Sequence, residues 1–162
     1  MKSVIIYYSH YRNTAYVAER MEETLKTLGE VKTLEIEYEG SSHGFIKRTF
    51  FRLFPNFVKL APIITDLKDF ETIVFGVPVW GGRPSAPLTK YLTLINNIQG
   101  KKVICFYIYA IEASAKACAD YICRLLCKKG NPELINAFIL WSHVHNLALL
   151  EKSIQETVAK LS

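Results

Sequence analysis

Apolar and polar positions along this chain follow two rhythms. Residues 3–8 read as a buried strand, and the apolar runs at 72–77, 102–109 and 134–141 as further strands. Residues 31–36 alternate apolar with polar, as a half-buried or edge strand does. Between these runs the repeat becomes helical. Over residues 14–28, Tyr16, Val17, Met21, Thr24, Leu25 and Leu28 recur on one face, and Gly29 ends the pattern. Ser85 is placed to cap a helix running to about Asn97, with Pro87 in its tolerant first turn. Residues 114–129 predict a third helix, closed by Gly130-Asn131-Pro132. Residues 147–161 predict a fourth, with Leu149, Leu150, Ile154, Val158 and Leu161 on one stripe.

Strands alternating with helices predict a parallel sheet, because each parallel pair needs a crossover and the crossover helix packs on the sheet. Right-handed crossovers leave few topologies. No repeat, low-complexity stretch or linker interrupts the 162 residues. The expectation is one α/β domain over residues 1–162: a three-layer, doubly wound, five-stranded parallel sheet.

One segment breaks the rhythm. The insert at about 40–62 holds Phe45, Phe50, Phe51, Phe54 and Phe57, more than half of the phenylalanine. It also holds Lys47, Arg48, Arg52 and Lys59, and no acid. Ile46, Phe50, Leu53, Phe54 and Phe57 fit one helical face, although Pro55 must end or kink that helix. The favoured reading is an amphipathic helix on the sheet with a solvated basic face. A docking surface for a redox partner or second subunit, and contact with a membrane surface, are the alternatives. Basic and aromatic residues together also suit single-stranded nucleic acid, but nothing else in the chain supports that reading.

Composition narrows the class. Half the residues are hydrophobic and 22% are charged, which suits a packed core and not a disordered chain. No apolar run approaches the ~20 residues that span a bilayer. A strand begins within a few residues of Met1, leaving no room for a signal peptide, so the expected compartment is the cytoplasm. The net charge of +5 biases encounters toward acidic partners. Cys105 falls in an apolar strand, and Cys118, Cys123 and Cys127 fall in one helix. Cys123 and Cys127 are a turn apart on one face while Cys118 points roughly the other way. Thiols in a reducing compartment are therefore expected, and no metal cluster.

Two loops carry candidate chemistry. Ser9-His10-Tyr11-Arg12-Asn13-Thr14 follows the first strand and opens a helix. Free amides and the positive end of the helix dipole attract an anion there. Ser9, Asn13 and Thr14 add donors, Arg12 adds a charge, and no carboxylate intervenes. That suits a phosphate; simple helix capping by Asn13 or Thr14 is the alternative. Pro78-Val79-Trp80-Gly81-Gly82-Arg83-Pro84 follows the strand at 72–77. It is rigid, offers an indole, and has two glycines that let backbone approach closely, which suits a flat ring. Trp80 as a plug in the sheet end is the alternative. One ligand carrying both groups, such as flavin mononucleotide (FMN), fits the pair of loops. The G-x-S-x-G, Walker lysine, H-E-x-x-H and G-x-G-x-x-G motifs are absent.

Tyr8-Ser9-His10-Tyr11-Arg12-Asn13-Thr14, followed by Val17-Ala18-Glu19, resembles the phosphate-binding loop of the flavodoxin-like family. Ser9, Asn13 and Thr14 match it. Tyr11 stands where a small hydroxyl residue is common, and Arg12 stands at the glycine. Either Arg12 is strained at positive φ, or the loop accepts a long residue and its guanidinium lies near the phosphate; the second is the expectation. Leu67, Phe70, Glu71, Val74, Gly76, Pro78-Val79-Trp80, Pro84, Pro87 and Leu92 follow a further pattern common in that family. The resemblance spans essentially the whole chain, in the short form of the fold. It implies strand order 2-1-3-4-5 and noncovalent FMN, with the backbone of Pro78, Val79, Trp80, Gly81 and Gly82 along the ring and Trp80 flanking it.

Flavodoxin itself illustrates the rule that ligands of open parallel sheets bind beyond the carboxyl ends of the strands, where strand order reverses. The rule adds loops 110–114 and 142–146. The first lacks the family's usual glycine, and brings Ala110 and Glu112 toward the flavin. Tyr107 or Tyr109 could cover the ring. Glu112 would oppose an anionic reduced flavin, or only decorate a helix start. His143 and His145 would share a side on an extended segment. Exposed loop histidines are the reading there, ahead of a proton donor or a metal site.

With a flavin present the cofactor carries the redox chemistry, so no catalytic side chain is expected. The resemblance implies electron transfer, through a redox partner protein or a small acceptor such as a quinone. The alternatives are an NAD(P)H-dependent FMN oxidoreductase acting on quinones or flavins, and a flavin-free interaction protein using the basic aromatic insert. Carriers of this fold are often acidic, by resemblance, and this chain is basic. A homodimer stays open.

Overall fold

The computed structural model describes residues 1–39 and 55–161. The elements run β1 (Lys2–Tyr7), α1 (Asn13–Lys26), β2 (Glu30–Glu35), β3 (Thr72–Trp80), β4 (Arg83–Pro84), α2 (Ala86–Leu94), β5 (Lys102–Tyr109), α3 (Glu112–Cys127), β6 (Glu133–Leu140) and α4 (Leu147–Val158). Five strands pair in parallel in the order β2-β1-β3-β5-β6, and the short β4 pairs antiparallel with β3. Counting only the parallel strands, this is the expected order 2-1-3-4-5. The winding reverses between β1 and β3.

Both faces of the central strands are buried, which is why they read as unbroken apolar runs. Val4, Ile6, Ile73, Phe75, Val103 and Cys105 share a cluster with Leu88 and Tyr91 of α2 and Ile122 of α3. Ile5, Val74, Ile104, Phe106 and Ile135 share the opposite one with Val17 and Met21 of α1 and Leu150 and Ile154 of α4. The two large buried phenols are paired, whereas the buried Ser3 and Ser85 hydroxyls have no hydrogen-bond partner among the described residues. The Tyr91 hydroxyl donates to the Ile64 carbonyl at 2.7 Å and the Tyr107 hydroxyl to Asn136 Oδ1 at 3.1 Å. Burial pushes both phenols above their ordinary pKa.

Several boundaries differ from the periodicity, each for a local reason. β3 continues three residues past Val77, because β4 supplies a partner for Val79 and Trp80. α2 stops at Leu94, where the chain turns extended at Ile95 and Asn96 bonds back to Thr65 and Leu67. Ser85 stands at the start of α2, but its hydroxyl makes no capping bond. β6 is an edge strand with only one face covered, so Asn136 and Phe138 point outward, with Phe138 stacked on Tyr107 at 5.1 Å. The insert is closed at its base, where Glu39 N–H donates to the Lys59 carbonyl and Ala61 N–H to that of Glu37, both at 2.9 Å. Pro55–Phe57 forms a 3-10 turn and Phe57 is exposed. The amphipathic helix expected over Ile46, Phe50, Leu53 and Phe54 falls outside the described residues. No described helix is long and apolar enough to cross a membrane.

One residue sets how closely α1 sits on the sheet. A Cβ on Gly76 would lie 2.6 Å from Phe106 Cζ, 2.6 Å from Tyr7 Cβ and 2.8 Å from Thr14 Cγ2. The bare backbone of β3 therefore lets the first turn of α1 rest directly on the sheet. Gly76→Ala is expected to lower stability by about 1–3 kcal/mol through overpacking, seen as a thermal midpoint lower by several degrees. An unchanged midpoint would mean that α1 can move away freely.

Candidate functional site

The loop after β1 is held by its own polar groups. Ala15 N–H donates to Ser9 Oγ at 3.2 Å, and Tyr16 N–H makes the first helical bond, to the Arg12 carbonyl, at 2.9 Å. Helix geometry leaves the Asn13 and Thr14 amides without intrahelical acceptors. They open the positive end of α1, so the helix start can receive an anion.

Arg12 takes the strained alternative. Its backbone is left-handed, with φ 65° and ψ −9°. Its guanidinium lies 3.4 Å from Glu19 Oε1, two turns along α1, and its side chain is 73% exposed. Its side chain was expected beside a phosphate; it lies along the neighbouring groove with Tyr16, Glu19 and His145. A left-handed backbone and an acid within reach turn the side chain outward.

The loop after residue 77 is a hairpin. Gly81 (φ 56°) and Gly82 (φ 76°) make a two-residue turn with positive φ at both positions, and Val79 and Trp80 pair with Pro84 and Arg83. The Gly82 turn rests near Ala117 of α3, and the Arg83 guanidinium stacks 4.5 Å from the Tyr121 ring centroid. Trp80 is thus carried on a strand braced by α3. Its ring meets Tyr8 edge-on at 6.0 Å and His10 at 6.2 Å, and His10 in turn meets Tyr11 at 4.4 Å.

These pieces meet in one cleft of about 140 Å³ beyond the carboxyl ends of the strands, at the β1/β3 reversal. Ser9, His10, Tyr11, Asn13 and Thr14 line one side; Pro78, Val79 and Trp80 line a second. Ile108, Tyr109 and Ala110 come from the end of β5, and Trp141 from beyond β6. No acid or lysine is among these residues. Tyr11 is 73% and Trp141 56% exposed, so two aromatic rings stand at the mouth.

Other candidates fall elsewhere. Gly81 and Gly82 shape the hairpin but do not line the cleft. Glu112 begins α3 outside it, 2.7 Å from Lys116, whose hydrogen bond holds the carboxyl below its ordinary pKa. Tyr107 is buried among core residues, leaving Tyr109 as the tyrosine of that strand at the cleft. The His143–His145 segment is not extended: Trp141–His143 is a 3-10 turn, and His145 packs on Tyr16 at 5.9 Å. No group of three metal-ligating side chains occurs among the described residues. Sequence reasoning missed Trp141. The available signal was an aromatic residue at the carboxyl end of a strand, where that reading placed it as the last strand residue without assigning it to the site.

Relieving the left-handed arginine should stabilise the fold. Arg12→Gly removes a positive-φ penalty of about 1 kcal/mol, against an exposed ion pair worth little. The expected result is a thermal midpoint raised by a few degrees; a lower midpoint would show that the Arg12–Glu19 contact outweighs the strain.

No protein-family model matches the chain, and no curated protein matches it. Solved structures do. A flavoprotein from Lactobacillus acidophilus NCFM, described in complex with FMN, is 20% identical with a TM-score of 0.65, covering 91% of this chain and 98% of its own. A flavodoxin from Streptococcus pneumoniae TIGR4 is 15% identical with a TM-score of 0.62, covering 99% of each chain. Oxidised flavodoxin 1 from Bacillus cereus is 14% identical with a TM-score of 0.59, covering 96% of this chain and 98% of its own. At these identities the likeness concerns the path of the chain, and with the strand order and crossovers above it shows that this protein has the flavodoxin-like fold.

Proposed function

We propose that this protein binds FMN noncovalently in the cleft at the β1/β3 reversal and serves as an electron-transfer protein. The observation that carries the reading is the meeting, in one acid-free cleft, of the first amides of α1 with the rings of Trp80, Tyr109 and Trp141. The first group suits a phosphate and the second a flat conjugated ring. The flavoprotein from L. acidophilus described with FMN has the same fold, which supports the same ligand here.

The residues present fit that group. The Asn13 and Thr14 amides, with the Ser9 and Thr14 hydroxyls, would hold the phosphate. The Pro78 and Val79 backbone, with Trp80, would lie along the ring, and Tyr109 and Trp141 would limit its movement. When bound, FMN supplies the one- and two-electron chemistry; the protein supplies orientation and surroundings. His10 stands beside Trp80 in the same cleft.

The cleft is open at its mouth, where Tyr11 and Trp141 are exposed, which favours a carrier over an enzyme that encloses a second substrate. A ring seated there keeps an edge at the surface, open to a second protein. The net charge of +5 favours an acidic redox partner. It also suits an anionic nicotinamide cofactor, the basis of the second reading: an NAD(P)H-dependent oxidoreductase acting on quinones or flavins. Steady-state NAD(P)H oxidation with a small acceptor would favour that enzyme.

The test is a flavin fluorescence titration. FMN emission is expected to be quenched to saturation at one equivalent. Thr14→Val, which keeps the shape and removes a hydroxyl, is expected to weaken binding about tenfold or more, as loss of a hydrogen bond to a charged group does. Trp80→Ala is expected to alter the visible bands of the bound flavin. Equal affinity in Thr14→Val would contradict the phosphate assignment, and an unaltered spectrum in Trp80→Ala would put the indole away from the ring.

A further inference from the structure

The last turn of α3 ends in two thiols that the cleft does not use. Cys123 and Cys127 lie one turn apart, with their Sγ atoms 3.6 Å from each other. Cys127 is exposed and Cys123 half-buried, whereas Cys105 and Cys118 are buried. The pair stands well away from the flavin cleft, roughly 16 Å or more along the helix from Glu112 at 1.5 Å per residue.

The spacing discriminates among the uses of such a pair. A disulfide needs Cβ atoms about 3.8 Å apart, but side chains at i and i+4 of a helix have Cβ atoms ~5–6 Å apart, so the last turn would have to unwind. A two-coordinate linear ion, with bonds of ~2.3 Å, needs sulfurs about 4.6 Å apart. Two bonds of that length meeting at the tetrahedral angle hold sulfurs about 3.8 Å apart. The observed 3.6 Å, at which one thiol hydrogen-bonds the other, is close to this last value, so the pair can close on such an ion with the helix intact.

The surroundings agree. The carbonyls of the last helical turn direct the negative end of the dipole at the site, which favours a cation. Asp120, one turn earlier on the same stripe, adds to that field. Arg124 and Lys128 act against it. One divalent ion replacing two thiol protons leaves the local charge unchanged, so those cations cost the exchange little. Lys129 is occupied at the carbonyls of Thr93 and Ile95.

We propose that Cys123 and Cys127 form a two-thiolate site for a tetrahedral, thiophilic divalent cation of the zinc class. Each thiol gives its proton to solvent as its metal–sulfur bond forms, and two coordination positions remain for water or an incoming ligand. Among the described residues no third His, Cys, Asp or Glu is grouped with the pair, so the site is open, unlike the closed four-ligand shells of structural zinc.

The test is titration of the reduced full-length protein with cadmium ion, following the thiolate-to-metal absorption band in the ultraviolet. One equivalent is expected to saturate the band, and a large excess of zinc ion should compete it away. Cys123→Ser and Cys127→Ser should each weaken cadmium binding at least about tenfold and lower the band. The double variant should lose the band while keeping the same thermal midpoint. A band of full strength in the double variant, or no saturable band in the wild-type protein, overturns the proposal.

Discussion

The contact of the first turn of α1 with β1 and β3 is the constraint from which the site follows. Thr14 is buried against a stretch of β3 that carries no side chain, with Tyr7 and Phe106 closing in from either side. A parallel sheet wound in both directions from β1 leaves a crevice between β1 and β3, and α1 starts at its lip. Because the helix cannot lift away, its first amides are aimed into that crevice. The electrostatics of the cleft are therefore a product of backbone packing more than of charged side chains, which agrees with a lining that contains neither acid nor lysine.

Two features of the cleft are built at some cost. Arg12 stands in a left-handed conformation that suits glycine. Such strain persists where the surroundings over-determine the backbone, and here Ser9 bonds to Ala15 on one side while α1 is pinned to the sheet on the other. Trp80 is held by a tight hairpin whose two glycines adopt positive φ and whose return strand is clamped to α3 through Arg83 and Tyr121. Both devices fix the rims of the cleft before any ligand arrives. Pre-ordered walls reduce the entropy lost on binding.

The layered fold was legible in the sequence because its strands and helices carry strong, different periods. The continuous apolar run of β5 matches the structure, and so does the α4 stripe at Leu150, Ile154 and Val158, but Leu149 is exposed. What escaped depended on tertiary context. The reach of β3 to Trp80 depends on β4, and β4 on the Gly81-Gly82 turn, a two-glycine signal available in the sequence and assigned to a loop. β6 was read as a strand without a statement of which face is covered, and its apolar content does not reveal that one face stays open. In the site, the loop residues Ser9, Asn13, Thr14 and Trp80 were picked out from their types and order, and the cleft brings them together. The direction of Arg12 was not legible, since it turns on an ion pair set by the folded loop, whereas the Glu112–Lys116 pair, at i and i+4 of one helix, was available in the sequence and went unread.

The central claim is that the start of α1 and the rim formed by Trp80 bind one ligand together. The most direct measurement is a two-dimensional amide NMR spectrum of the labelled protein as FMN is added, alongside the same titration with inorganic phosphate. The account predicts that FMN shifts the amides of residues 12–15 and the Trp80 indole together, while phosphate shifts only the former. Shifts by FMN that spare the start of α1, or that gather at the opposite end of the sheet, would contradict it.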